Sequence, residues 1–128
     1  MSDETIKVLV VEPMKPCRVA EIPDKLEVMQ AIVGGYIQEV APFAEPVVIV
    51  CNEEGKLQDL PYNRPLVDRN GVPYDILCGT FFLAGVEGEH FVSLTDQQIP
   101  QYKEFYNNIM VISKPYSRPA KIMGPQGG

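Results

Sequence analysis

The sequence predicts one small α+β domain, a mainly antiparallel or mixed sheet with two helices packed on it. Three observations predict it. Five short runs rich in β-branched and aromatic residues (Ile6–Glu12, Cys17–Ile22, Tyr36–Val40, Val47–Cys51 and Ile76–Ala84) are separated by Gly, Pro and Asn. Two stretches, at 25–33 and about 99–107, space their apolar residues as a helix does. The chain of 128 residues is one domain by size, long enough to bury roughly two-thirds of its unfolded surface.

In chain order, Ile6–Glu12 (IKVLVVE) places Ile6, Val8 and Val10 on one face and Leu9 and Val11 on the other, as a central strand does. Pro13–Pro16 is a loop. Cys17–Ile22 alternates and returns antiparallel, with Arg18, Ala20 and Ile22 on one side. Asp24 is a good N-cap with Glu27 at capping-box spacing, so a helix is expected to start there. Leu26, Met29, Ile32 and Val33 form its buried face, and Gly34-Gly35 ends it with one residue in the left-handed C′ conformation. Tyr36–Val40 and Val47–Cys51 follow as strands, and Asn52–Lys56 makes a turn.

The stretch Leu60–Gly85 holds the densest collection of polar groups. Pro61 and Pro65 flank Tyr62, Asn63 and Arg64 and force that tripeptide into an extended or turn conformation. Asn63 then caps a turn and Arg64 pairs with a surface carboxylate, or both are presented to a ligand. Asp68-Arg69-Asn70-Gly71 reads as a hairpin turn of type I′, since Asn-Gly tolerates positive φ at both central positions. Ile76–Ala84 is apolar or small apart from Thr80, consistent with one strand covered on both faces; Gly79 inside it suggests a bulge or a close backbone approach.

After it, His90–Leu94 is a short edge strand. Thr95 and Gln98 make a capping box, with Leu94 and Ile99 as its staple. Ile99, Tyr102, Phe105, Tyr106 and Ile109 then form an apolar stripe. The domain spans 1–112, and 113–128, with Lys114, Arg118 and Lys121, three prolines and three glycines, reads as a flexible basic tail.

Composition excludes several functions. A net charge of −6 argues against general nucleic-acid binding, which needs many cationic contacts to phosphate. No apolar run approaches the ~18 residues of a membrane helix, and the N-terminus shows no cationic-then-apolar signal segment. Cys17, Cys51 and Cys78 are odd in number and lack CxxC spacing, so they read as free thiols of a reducing cytoplasm. His90 is the only histidine, and no P-loop, GxSxG, HExxH or GxGxxG occurs. No catalytic residue, metal or cofactor is therefore assigned. Asp68 with Asp75 offers an acid–base pair and Cys78 with His90 a nucleophile pair, but a turn carboxylate is more often solvated and a thiol in an apolar strand is more often inert.

The polar groups that converge are Asn63, Arg64, Asp68, Arg69, Tyr74, Asp75 and Thr80. Arg offers a planar fork for phosphate or carboxylate, Asn a two-way amide, and Tyr a stacking face. The set suits a nucleotide-like ligand, and it suits equally a polar interface with another protein.

The blocks VGGYIQEV, VVIVCNEEGKL, LPYNR, YDILCGTFFLAG and FVSLTDQQI, over roughly residues 5–107, resemble a family of small proteins of bacteriophages and mobile elements, mainly of Firmicutes, known only as a domain of unknown function. The resemblance implies a non-enzymatic accessory protein that binds a host protein or a small anionic ligand, for instance to counter a host defence, and carries over no catalytic residue. The alternatives are a nucleotide-sequestering protein and a small enzyme using Asp68, Asp75 or Cys78. A homo-oligomer is compatible with the sequence.

Overall fold

A computed structural model describes residues 4–107. The elements are β1 (Thr5–Val11), β2 (Arg18–Pro23), α1 (Leu26–Val33), β3 (Ile37–Val40), β4 (Val47–Asn52), β5 (Tyr62–Val67), β6 (Pro73–Cys78), β7 (Phe81–Glu87), β8 (His90–Val92) and α2 (Gln98–Tyr106). Ile109, the last residue of the expected apolar stripe, and the tail 113–128 lie outside the described residues.

The main sheet has the order β2-β1-β7-β4-β3, every pair antiparallel, with β8 added to β7. β5 and β6 form a separate two-stranded sheet. The alternation of β1 assigns its faces as expected: Ile6, Val8 and Val10 join Ile22, Met29, Val33, Val50, Phe82 and Ala84 under α1. Leu9 and Val11 join Ile49, Phe81, Leu83, Leu66, Leu77, Tyr102 and Tyr106, so the β5–β6 hairpin and α2 cover the opposite face. The result is an α+β domain of three layers.

The expected strand Ile76–Ala84 is two strands. Gly79 has φ +84°, its N–H donates to the Pro61 carbonyl at 2.7 Å, and a Cβ there would stand 2.7 Å from Leu60 Cδ1. The chain turns at this left-handed residue, so β6 completes the hairpin and β7 enters the middle of the main sheet. An unbroken apolar run concealed the turn because both halves are buried, one in each layer.

The hairpin turn also differs from type I′. Gly71 has φ +80°, but Asn70 is not in the left-handed region. Asp68 explains this: its Oδ1 accepts the N–H groups of Asn70 (2.8 Å) and Val72 (2.9 Å), while Gly71 N–H donates to the Asp68 carbonyl. A right-handed turn closed by one left-handed glycine satisfies those donors.

At α1, Asp24 does not cap. Asp24 still belongs to the strand, its N–H donating to the Glu4 carbonyl and prolonging the β1–β2 ladder by one residue, so the N-cap position falls one residue later, on Lys25, whose side chain makes no cap bond. Leu26 stays exposed, since Cα–Cβ bonds tilt toward a helix N-terminus and the first residue points beyond the packed turn. Gly34 ends the helix at φ +83°, as the double glycine predicts. At α2 the capping box forms: Thr95 N–H donates to Gln98 Oε1 and Gln98 N–H to Thr95 Oγ1.

No helix among the described residues is long and apolar enough to cross a membrane.

Candidate functional site

The seven candidate residues fall in different places. Asn63 and Arg64 are interior, 1% and 2% exposed. Asn63 Nδ2 donates to the carbonyls of Val11 and Gly79, both at 2.9 Å, and its Oδ1 accepts Arg64 Nη1 at 2.8 Å. Arg64 Nε and Nη2 donate to the Tyr106 carbonyl at 3.1 and 2.8 Å, and Nη2 also to the Lys15 carbonyl at 2.7 Å. The guanidinium thus faces carbonyls rather than the expected surface carboxylate, and burial lowers its pKa from the ordinary value. It sits at the negative end of α2, where a cation is favoured. The pair ties β1, the β1–β2 loop, the β6–β7 turn and α2 together. The nearby Cys17 adds to the tie: its N–H donates to Asn107 Oδ1 at 3.0 Å.

Asp68 and Arg69 are exposed at the hairpin tip. They line an open groove of about 550 Å³ together with Pro42, Phe43 and the half-exposed Phe105. Thr80 is half-buried just after Gly79.

Tyr74 and Asp75 line a different cleft, of about 410 Å³, between β6 and the β3–β4 end of the main sheet. Its apolar lining includes Val40, Cys51, Leu66 and Leu77, and its polar lining Glu53, Glu54, Lys56 and Asp75. The loop after β4 approaches β6 closely: a Cβ on Gly55 would be 2.7 Å from the Cys78 carbonyl, so only glycine fits. That approach brings Lys56 Nζ onto Asp75 Oδ1. Lys56 is the main reason that the Asp75 pKa is lowered. Asn52 fixes the loop from beneath, donating to the Val33 carbonyl at 3.1 Å and accepting Glu54 N–H at 2.7 Å. Two large apolar side chains line this cleft while exposed, Leu57 at 84% and Tyr74 at 59%.

Sequence reasoning missed Lys56, Leu57 and Asn52 as site residues. The segment reads as a plain turn in sequence; its signal is Gly55, a glycine demanded by close approach rather than by φ.

Neither paired catalytic alternative shares a cavity: Asp68 lines the groove beside Phe105, and Asp75 the cleft beside Lys56. Cys78 lines the Lys56–Asp75 cleft, whereas His90 lines a groove with Glu39, Val86 and Phe91. No group of three or more His, Cys, Asp or Glu suited to a metal occurs among the described residues. All three cysteines are buried free thiols. Burial, with Asp75 nearby, pushes Cys51 up to about 11, and burial raises Cys17. Both therefore stay protonated at pH 8, and a thiol-disulfide reagent is expected to label the native chain far more slowly than the chain in guanidinium; equal rates would contradict this burial.

A family model, domain of unknown function DUF3846, matches residues 6–107. No curated protein and no solved structure is significantly similar to the chain. The chain belongs to the domain of unknown function family DUF3846.

Proposed function

We propose that this chain is a non-enzymatic binding protein that engages a polypeptide partner through the cleft between β6 and the loop after β4. The observation that carries this reading is the exposure of Leu57 and Tyr74 on a concave, partly apolar surface. Tyr is typical of interface anchors, and an exposed Leu beside it supplies apolar area with no fold role. The charge balance supports a polypeptide over an anion: Glu53, Glu54 and Asp75 face the single cation Lys56 among the cleft's lining residues. The whole chain is acidic as well, with 17 Asp and Glu against 11 Lys and Arg. The Asn63–Arg64 donors that suited a nucleotide are engaged by the chain's own carbonyls. An origin in a phage or mobile element would make the partner a host protein and its capture a means of countering a host function.

The test is a photo-cross-linker, p-benzoylphenylalanine, at position 57 in producing cells, with position 19 on β2 as the control. One discrete polypeptide adduct from position 57, lost with Tyr74→Ala while the melting temperature is unchanged, is expected. An adduct formed equally from position 19, or one indifferent to Tyr74, refutes the cleft as the working surface.

A further inference from the structure

We infer that the cleft takes its partner as an added β-strand: an extended, basic, β-branched segment pairing with the outer edge of β6. The inference rests on the reading of the cleft as a protein-binding surface and specifies how it binds.

Three observations lead to it. First, β6 pairs with β5 alone, so one edge of it has no strand partner among the described residues. Second, five consecutive residues of β6, Tyr74 to Cys78, line the cleft. Side chains alternate along a strand, so a strand facing a cavity with one face contributes every second residue; a continuous run marks an edge turned toward it. Third, the edge carries a backbone donor held by a replaceable acceptor. Ile76 stands opposite Pro65, which has no N–H, and Ile76 N–H donates instead to Asp75 Oδ1 at 2.8 Å. Residues of an antiparallel pair either exchange both hydrogen bonds or turn both away. The Pro65–Ile76 pair is therefore of the second kind, and the Ile76 N–H and C=O point out of the hairpin.

The Asp75 carboxylate, itself gripped by Lys56, covers this edge. Free edges are commonly protected by such polar side chains. Both groups are half-exposed and the ion pair is of the weak surface kind, so a guest strand can displace them. A guest carbonyl would replace Asp75 on Ile76 N–H, and Ile76 C=O would accept a guest N–H. A Lys or Arg of the guest would take the place of Lys56 beside Asp75, with Glu53 and Glu54 on the same cleft. Main-chain pairing gives affinity in this mode, and alternate side chains give specificity. The apolar lining at Val40 and Leu77 suits β-branched residues on the guest's inward side.

The experiment selects peptides from a random twelve-residue display library on the immobilised full chain. The selected peptides are then made synthetically and titrated into the 15N-labelled protein. The expected peptides are basic and β-branched, they slow the exchange of the Ile76 amide, and methylation of their backbone nitrogens weakens them at least about tenfold. Lys56→Ala, which removes the competing cation, tightens them about fivefold. Peptides that shift Leu57 and Tyr74 yet tolerate backbone methylation and leave Ile76 exchange unchanged overturn strand addition and spare the cleft as a binding surface. Peptides that map elsewhere, or a selection that enriches nothing, overturn both.

Discussion

Replacing Arg64 by Ala is expected to cost about 3–5 kcal/mol, a large share of the 5–15 kcal/mol that holds a domain of this size. The side chain is 2% exposed and makes four hydrogen bonds, to the Tyr106 carbonyl twice, to the Lys15 carbonyl and to Asn63 Oδ1. A buried cation without a carboxylate is tolerable only because its donors are matched by fixed acceptors. Alanine leaves the buried Tyr106 carbonyl and Asn63 Oδ1 without these donors, releases the part-buried Lys15 carbonyl, and opens a cavity among β1, the hairpin and α2. Lysine does not rescue, because a point charge cannot reach the acceptors that the guanidinium fork spans. Urea unfolding followed by circular dichroism measures the cost. A variant within about 1 kcal/mol of the parent would show that the guanidinium is not structural, and would return Arg64 to the candidates for a ligand.

Phe82→Ala is expected to cost a similar 3–5 kcal/mol. Phe82 is fully buried near the start of β7, the middle strand of the main sheet, beneath α1, with Val8, Val10, Val50 and Ala84 around it. Phe81, its neighbour in sequence, fills the other layer, 5.7 Å from Tyr106 in an edge-to-face contact. Phe82→Leu, which keeps most of the volume, is expected to lose less than about 1.5 kcal/mol. If alanine and leucine prove equally mild in denaturant unfolding, β7 is not the strand at the middle of both layers.

These two residues also show what could be read from the sequence. The Phe81-Phe82 pair declares a strand covered on both faces, as the alternation of β1 declares its two sides; both follow from period-two patterning, which is local. The Thr95–Gln98 capping box was legible for the same reason. Arg64 was not. Between two prolines it looks like a presented surface residue, and its acceptors are backbone carbonyls of Lys15 and Tyr106, 49 and 42 positions away. Backbone acceptors leave no mark in a sequence. The cap expected at Asp24 stands one residue too early, because the β1–β2 ladder runs on through the Asp24–Glu4 bond and the helix starts after Lys25.

The cleft was half legible. Tyr74 and Asp75 stood among the candidates on residue type, but the partner wall, Gly55 to Leu57, comes from a loop that reads as a solvated turn. Only the fold sets Lys56 against Asp75, 19 positions on. Asn63 and Arg64, the residues most suited by chemistry to an anion, were drawn inward by the same folding that left the cleft exposed.

The most direct measurement compares two variants side by side, Arg64→Ala and the double variant Leu57→Ala/Tyr74→Ala, for thermal unfolding and for photo-cross-linking from position 53, a glutamate of the same cleft. The expected result is a split. The double variant melts with the parent and loses the adduct, whereas Arg64→Ala melts far below the parent. A contradictory result is the reverse split, in which Arg64→Ala melts with the parent and loses a bound small molecule while the double variant keeps its adduct; the working surface would then lie at the Asn63–Arg64 pair.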